Sequence, residues 1–138
     1  MKDEIYIKRC IELAGKALGN TYPNPLVGSV IVHNDRIIGE GFHKKAGEPH
    51  AEINAINSIK DEDKHLIPES TIYVSLEPCA HFGKTPPCAF KIVELGFKKV
   101  VIGAMDSHDK VNGKGKKIIT DAGIEVVSSI LENECREL

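Results

Sequence analysis

A chain of 138 residues is the size of one domain and is long enough to bury a single core. With 41% hydrophobic and 28% charged residues it has the composition of a soluble globular protein, and a net charge of -2 argues against broad electrostatic capture of nucleic acid, the local clusters Lys44-Lys45, Lys98-Lys99 and 114–117 being read as solvated surface. Met1-Lys2-Asp3-Glu4 leads into no apolar stretch of the signal-peptide kind, and no run has the length of a bilayer span, so a cytoplasmic location and no membrane role are expected.

In chain order, residues 3–18 read as an amphipathic helix, with Ile7, Ile11, Ala14 and Leu18 on one stripe, Asp3 as N-cap and Gly19 as the stop. A loop with two prolines, Asn20-Thr21-Tyr22-Pro23-Asn24-Pro25, leads to two β-rich runs, 27–32 and 36–42, joined at His33-Asn34-Asp35 as a hairpin. His50 opens a helix running through Ile53, Ala55, Ile56 and Ile59, and a charged loop, 60–64, follows it. A strand at 71–76 runs directly into Pro78-Cys79, and Pro86-Pro87 starts a helix that carries Cys88, because proline suits the first helical turn. A buried strand at 99–104, a helix at 112–122 closed by Gly123 and a strand at 124–127 complete the pattern, and the tail from Ser128 is a short helix or a frayed end. Strands alternating with helices in the second half imply parallel members covered on both faces. The expected fold is therefore one α/β domain, three layers α/β/α, with a mixed five-stranded sheet.

The chemistry is concentrated in His50, Cys79 and Cys88. In a reducing compartment four cysteines are expected to be thiols or metal ligands rather than disulfides; Cys10 and Cys135, on helical segments near the two ends, suit packing or surface roles. One imidazole and two thiolates suit zinc better than magnesium or calcium, which prefer oxygen. Three protein ligands leave a fourth tetrahedral position open, the catalytic arrangement. Two ligands at or near the start of one helix and one on a neighbouring helix would hold the metal between helix N-termini, whose partial positive charge favours thiolates. Zinc lowers the pKa of a water ligand to about 7, which makes hydrolysis the expected reaction class. Glu52, two residues from His50, is placed to move protons without ligating the metal. A lone His-x-Glu or a lone cysteine pair would carry little weight. All four residues together, beside predicted helix starts, carry much more.

His-x-Glu followed by Pro-Cys-x-x-Cys is the signature of zinc nucleobase deaminases. The first half is present here. The second departs from it, because eight residues, Ala80-His81-Phe82-Gly83-Lys84-Thr85-Pro86-Pro87, separate Cys79 from Cys88. With this insertion, His50-Ala51-Glu52 and Leu76-Glu77-Pro78-Cys79 resemble the deaminase domain of bacterial riboflavin-biosynthesis proteins, diaminohydroxyphosphoribosylaminopyrimidine deaminases of the cytidine deaminase superfamily. The resemblance extends to Pro23-Asn24-Pro25, Gly41-x-His43, Asn112-Gly113-Lys114-Gly115 and Ala122-Gly123-Ile124, and so covers nearly the whole chain.

What the resemblance implies is specific. It implies a cytidine-deaminase-like fold, zinc on His50, Cys79 and Cys88, and Glu52 as the catalytic proton shuttle. It implies a phosphoribosyl-pyrimidine substrate touched by Asn24, His43, His81, Lys84, Thr85 and Asp106, and self-association into a homo-oligomer. The family often has Asp-Pro-Asn-Pro where this chain reads Asp106-Ser107-His108-Asp109, which leaves the role of His108 open. Bacterial members usually continue into an NADPH-dependent reductase domain. Residues 1–138 are read as the deaminase domain alone, with reduction belonging to a separate or truncated partner domain. Two rival readings stand beside this one. A tRNA or free-nucleobase deaminase would call for closely spaced cysteines, and for tRNA a basic surface. A non-catalytic zinc module that binds a nucleotide would have no need of Glu52.

Overall fold

The computed structural model describes residues 2–19, 26–45, 48–80, 87–105 and 113–138. In chain order the elements are α1 (Lys2–Gly15), β1 (Gly28–His33), β2 (Arg36–Phe42), α2 (Ala51–Ser58), β3 (Thr71–Leu76), α3 (Cys88–Leu95), β4 (Lys99–Ala104), α4 (Lys114–Asp121), β5 (Glu125–Val127) and α5 (Glu132–Arg136). The five strands form one sheet in the order β2-β1-β3-β4-β5. β1 pairs antiparallel with β2 and with β3, whereas β3, β4 and β5 run parallel, so the sheet is mixed as expected.

Strand alternation divides the core into two layers. Ile31, Ile72, Val74, Val100 and Ile102 face one side, where Ala55, Ile56 and Ile59 of the α2 segment, Ile92 of α3 and Ile119 of α4 cover them. Val30, Val32, Tyr73 and Val101 face the other side, under Ile7, Cys10 and Leu13 of α1 and Cys135 of α5. Both faces of the central strands are thereby dry. Cys10 and Cys135 are free thiols that pack in this second layer, the packing alternative of the sequence reading.

The β1–β2 connection is tight because Asn34 and Asp35 both take positive φ, 46° and 62°, matching the twist of a two-residue hairpin. The first helix differs from expectation. Its buried residues are Ile7, Cys10, Leu13 and Ala14, whereas Leu18 is 77% exposed, because the helix ends at Gly15 and the chain turns before Leu18 could reach the sheet. Asp3 lies inside the first turn rather than at the cap, and its carboxylate accepts a hydrogen bond from the Tyr73 hydroxyl at 2.9 Å and pairs with Lys99 at 3.4 Å. The charged loop expected at 60–64 is instead the start of a 3₁₀ helix, Asp61–Glu69. Three acids in its first turn suit the positive end of a helix, and its last turn closes with the Ser70 amide donating to the Ile67 carbonyl.

α1 is fixed to the β1–β2 ribbon by a forked ion pair, Arg9 Nε to Glu40 Oε2 at 2.6 Å and a second guanidinium N–H to Oε1 at 3.1 Å. The hydrogen bond from Arg9 holds the Glu40 carboxyl below its ordinary range. With both side chains about a third exposed, the pair contributes at most about 1 kcal/mol.

α2 lies against β2 at backbone distance. A Cβ at Gly41 would overlap the backbone nitrogen of Ala55 and stand 2.8 Å from the carbonyl oxygen of Ala51, so only glycine admits the helix this close. Gly41→Ala should push the first turn of α2 off the sheet and cost about 1–3 kcal/mol, as overpacking does. Thermal unfolding checks this; an unchanged midpoint would mean that α2 is not held by that contact.

Candidate metal centre

The site forms where β3 ends and two helices begin. His50 is the N-cap of α2 and has an extended backbone, φ -72° and ψ 169°, with no side-chain bond to its own helix. Its ring is thus left to face the cysteines. Cys88 is the first residue of α3, directly after Pro87, whose fixed φ of -60° sets the helix entry. Cys79 belongs to no helix: it closes the turn Glu77-Pro78-Cys79 that follows Leu76, the last residue of β3. This corrects one expectation. Each of two helices supplies one ligand at its start, and the third comes from the turn after a strand.

The donor atoms are spaced for one metal ion. His50 Nδ1 stands 3.7 Å from Cys79 Sγ and 3.5 Å from Cys88 Sγ, and all three donors lie within 4.8 Å of one another. Zinc bonds of about 2.0–2.1 Å to nitrogen and about 2.3 Å to sulfur at a tetrahedral angle require N–S separations of about 3.6 Å. The donor chemistry and the spacing both fit zinc.

Charge at the site follows from these short contacts. The Cys79 thiol is lowered to about 4, first by hydrogen bonding from Cys88, then by His50 and by the Cys88 backbone N–H, which donates to Cys79 Sγ at 3.2 Å. Cys88 moves strongly the other way, because it shares its proton with Cys79 and is buried. His50 is raised by its contact with Cys79. Glu52 is 4% exposed, and burial, reinforced by the negative charge of Cys79, lifts it to about 7 against its own backbone hydrogen bond, His50 and Cys88.

The neighbouring residues hold the ligands in place. His43, expected at the substrate, is buried; its Nδ1 lies 3.2 Å from the Pro49 carbonyl oxygen and its ring stands edge-on to His50 with centroids 5.3 Å apart. Asn54, which sequence reasoning did not single out, donates to the Phe42 carbonyl at 2.8 Å and to the Pro49 carbonyl at 3.2 Å, tying the segment before His50 to β2. Glu77, visible in the sequence only as one letter of a motif, has a buried carboxylate that bonds two backbone amides at the start of α4. Asn24, His81, Lys84, Thr85 and Asp106, together with His108, lie outside the described residues.

Comparison with known proteins agrees with this geometry. Residues 1–104 match the cytidine and deoxycytidylate deaminase zinc-binding region. The chain is 47% identical over 138 residues to the riboflavin biosynthesis protein RibD of Synechocystis, covering 100% of this chain and 36% of that protein. It is 47% identical over 137 residues to the diaminohydroxyphosphoribosylamino-pyrimidine deaminase of Buchnera aphidicola, covering 99% of this chain and 90% of that one. Among solved structures, the deaminase/reductase of Thermotoga maritima superposes with a TM-score of 0.92 at 48% identity, covering 99% of this chain and 38% of that one. The chain thus spans little more than a third of the length of the Synechocystis and Thermotoga proteins.

Zinc requires both cysteines as thiolates and His50 without its proton on Nδ1. Because Cys88 holds its proton at neutral pH, zinc binding to the metal-free chain should release at least one proton, and affinity should rise with pH by about tenfold per unit for each proton released. Titration calorimetry in two buffers of different ionisation enthalpy counts the protons. Identical heats in both would contradict the shared-proton arrangement.

Proposed function

Because the chain belongs to the cytidine and deoxycytidylate deaminase zinc-binding family and, within it, to the riboflavin-pathway deaminases, we propose that residues 1–138 convert 2,5-diamino-6-(5-phosphoribosylamino)pyrimidin-4-one to 5-amino-6-(5-phosphoribosylamino)uracil with release of ammonia. The observation that supports this best is a buried carboxyl, Glu52, in the same helical turn as one of three donors spaced for a single zinc ion.

Zinc, when bound, supplies a nucleophilic water at neutral pH. The proton traffic belongs to Glu52. As water adds to the ring carbon bearing the amino group, Glu52 accepts one proton from it and passes that proton to the ring nitrogen. It then takes the remaining hydroxyl proton as the carbonyl forms and donates it to the departing nitrogen, which leaves as ammonia. Glu52 ends in the protonation state in which it began. Burial, which raises Glu52 above the ordinary carboxyl range, suits a group that both takes and gives a proton. His50, Cys79 and Cys88 hold the metal, and His43 orients His50 while bordering the substrate. Asn24, His81, Lys84, Thr85 and Asp106 carry substrate contacts in the same reading, with Lys84 and Thr85 offering a cation and a hydroxyl to the ribose phosphate. Reduction is not assigned to residues 1–138, and self-association belongs to this reading as well.

Glu52→Gln should retain zinc and lose about 10²–10⁴ in the rate of ammonia release, the usual contribution of a general acid–base group. Metal analysis and an ammonia assay, run with the riboflavin intermediate beside cytidine and tRNA, test both the mechanism and the substrate. Undiminished turnover in the variant would sink the proton-shuttle role, and faster turnover of cytidine or tRNA would move the chain to another branch of the family. Lys84→Ala should raise KM for the phosphorylated substrate and leave KM for its dephosphorylated analogue unchanged; an equal effect on both would remove Lys84 from the phosphate.

A further inference from the structure

Glu77 lies between the end of β3 and the ligand Cys79, and it is 6% exposed. A buried carboxylate is costly unless its oxygens are satisfied. Here each oxygen accepts a backbone amide from a different place on α4: Oε1 from Gly113 at 3.0 Å and Oε2 from Lys116 at 3.0 Å. Gly113 is the N-cap of α4, at φ 82°, and Lys116 is its third helical residue. These are amides that a helix cannot satisfy internally, and the negative charge suits the positive end of the helix. Glu77 therefore supplies from the turn after β3 the cap that α4 lacks from its own side chains.

The same turn is closed from a second direction. A Cβ at Gly115 would overlap the carbonyl oxygen of Pro78, so the first turn of α4 meets the Pro78 backbone directly. On the other side of Pro78, α3 holds the ligand: the Ala89 amide donates to the Cys79 carbonyl at 3.1 Å, and the Cys88 amide to Cys79 Sγ at 3.2 Å. The Glu77-Pro78-Cys79 turn is thus clamped between the starts of two helices.

We infer that Glu77 is a positioning residue for the zinc ligand Cys79, acting through the first turn of α4 and setting metal affinity without touching metal or substrate. The inference rests on the zinc reading of the site. Partners of this kind typically change metal affinity by about 10–100-fold when removed. Glu77→Gln keeps the size of the side chain but turns one acceptor into a donor that faces an amide N–H. Gly115→Ala disturbs the same contact from the helix side and leaves Glu77 in place.

The test is zinc affinity by chelator competition, with the visible spectrum of the cobalt-substituted protein as a report on the thiolates. Glu77→Gln and Gly115→Ala should each raise the zinc Kd by about 10–100-fold and alter the thiolate-to-cobalt band. Lys117→Ala, which removes an exposed ion pair of α4 with Asp121, should change neither. If a variant is unstable, the rise in Tm on adding zinc decides the matter: it shrinks when Glu77 acts through the site and matches that of the unaltered chain when Glu77 only stabilises α4. An unchanged Kd and cobalt spectrum in Glu77→Gln would overturn the inference. Absence of a thiolate band in the unaltered chain would instead overturn the zinc reading itself.

Discussion

The structure depends on bringing one sulfur, Cys79 Sγ, to the place where two helices start. β3 carries the chain to that point inside the sheet, paired with β1 on one side and β4 on the other. The Cys88 amide at the start of α3 then donates to that sulfur, and His50 at the start of α2 faces it. Neither helix has a side-chain cap at this end. The positive ends of the two helices favour negative charge there, and the Cys88 amide is spent on Cys79 Sγ itself, so the local field suits thiolates before any metal is present.

Burial then separates the tasks of the groups. Two sulfurs close together cannot both ionise cheaply, and the shared proton stays on Cys88 while Cys79 is a thiolate. A divalent cation relieves this conflict of charge, which ties metal binding to proton release. Glu52 is kept from the cation's direct donors yet buried enough to titrate near neutrality. A carboxyl on the surface of α2 would be an ordinary acid, ionised throughout the neutral range.

The three donors that the structure brings together were legible in the sequence because each adjoins a local signal: His50 precedes an apolar helical pattern, Cys79 follows a β-branched strand, and Cys88 follows two prolines. The strands at 71–76 and 99–104 were legible to the residue, since both are short apolar runs between clear breaks. What was missed depends on contacts far apart in the chain. Asp3 reads as a cap until Tyr73 and Lys99 claim its carboxylate. Leu18 fits the stripe of α1, but the helix stops at Gly15. Glu77 satisfies amides 36 and 39 positions away, at Gly113 and Lys116, and no spacing rule reveals that. The buried place of His43 against His50 likewise follows from the sheet, through β2, rather than from its own neighbours in sequence.

The central claim is that His50, Cys79 and Cys88 hold one zinc ion and leave a coordination position open. X-ray absorption at the zinc edge of the zinc-loaded protein tests it most directly. The expected shell is two sulfurs at about 2.3 Å and two nitrogen or oxygen neighbours at about 2.0–2.1 Å. A shell of four sulfurs, drawing in Cys10 and Cys135, would make the site a closed structural one and contradict the claim, as would a shell with no sulfur.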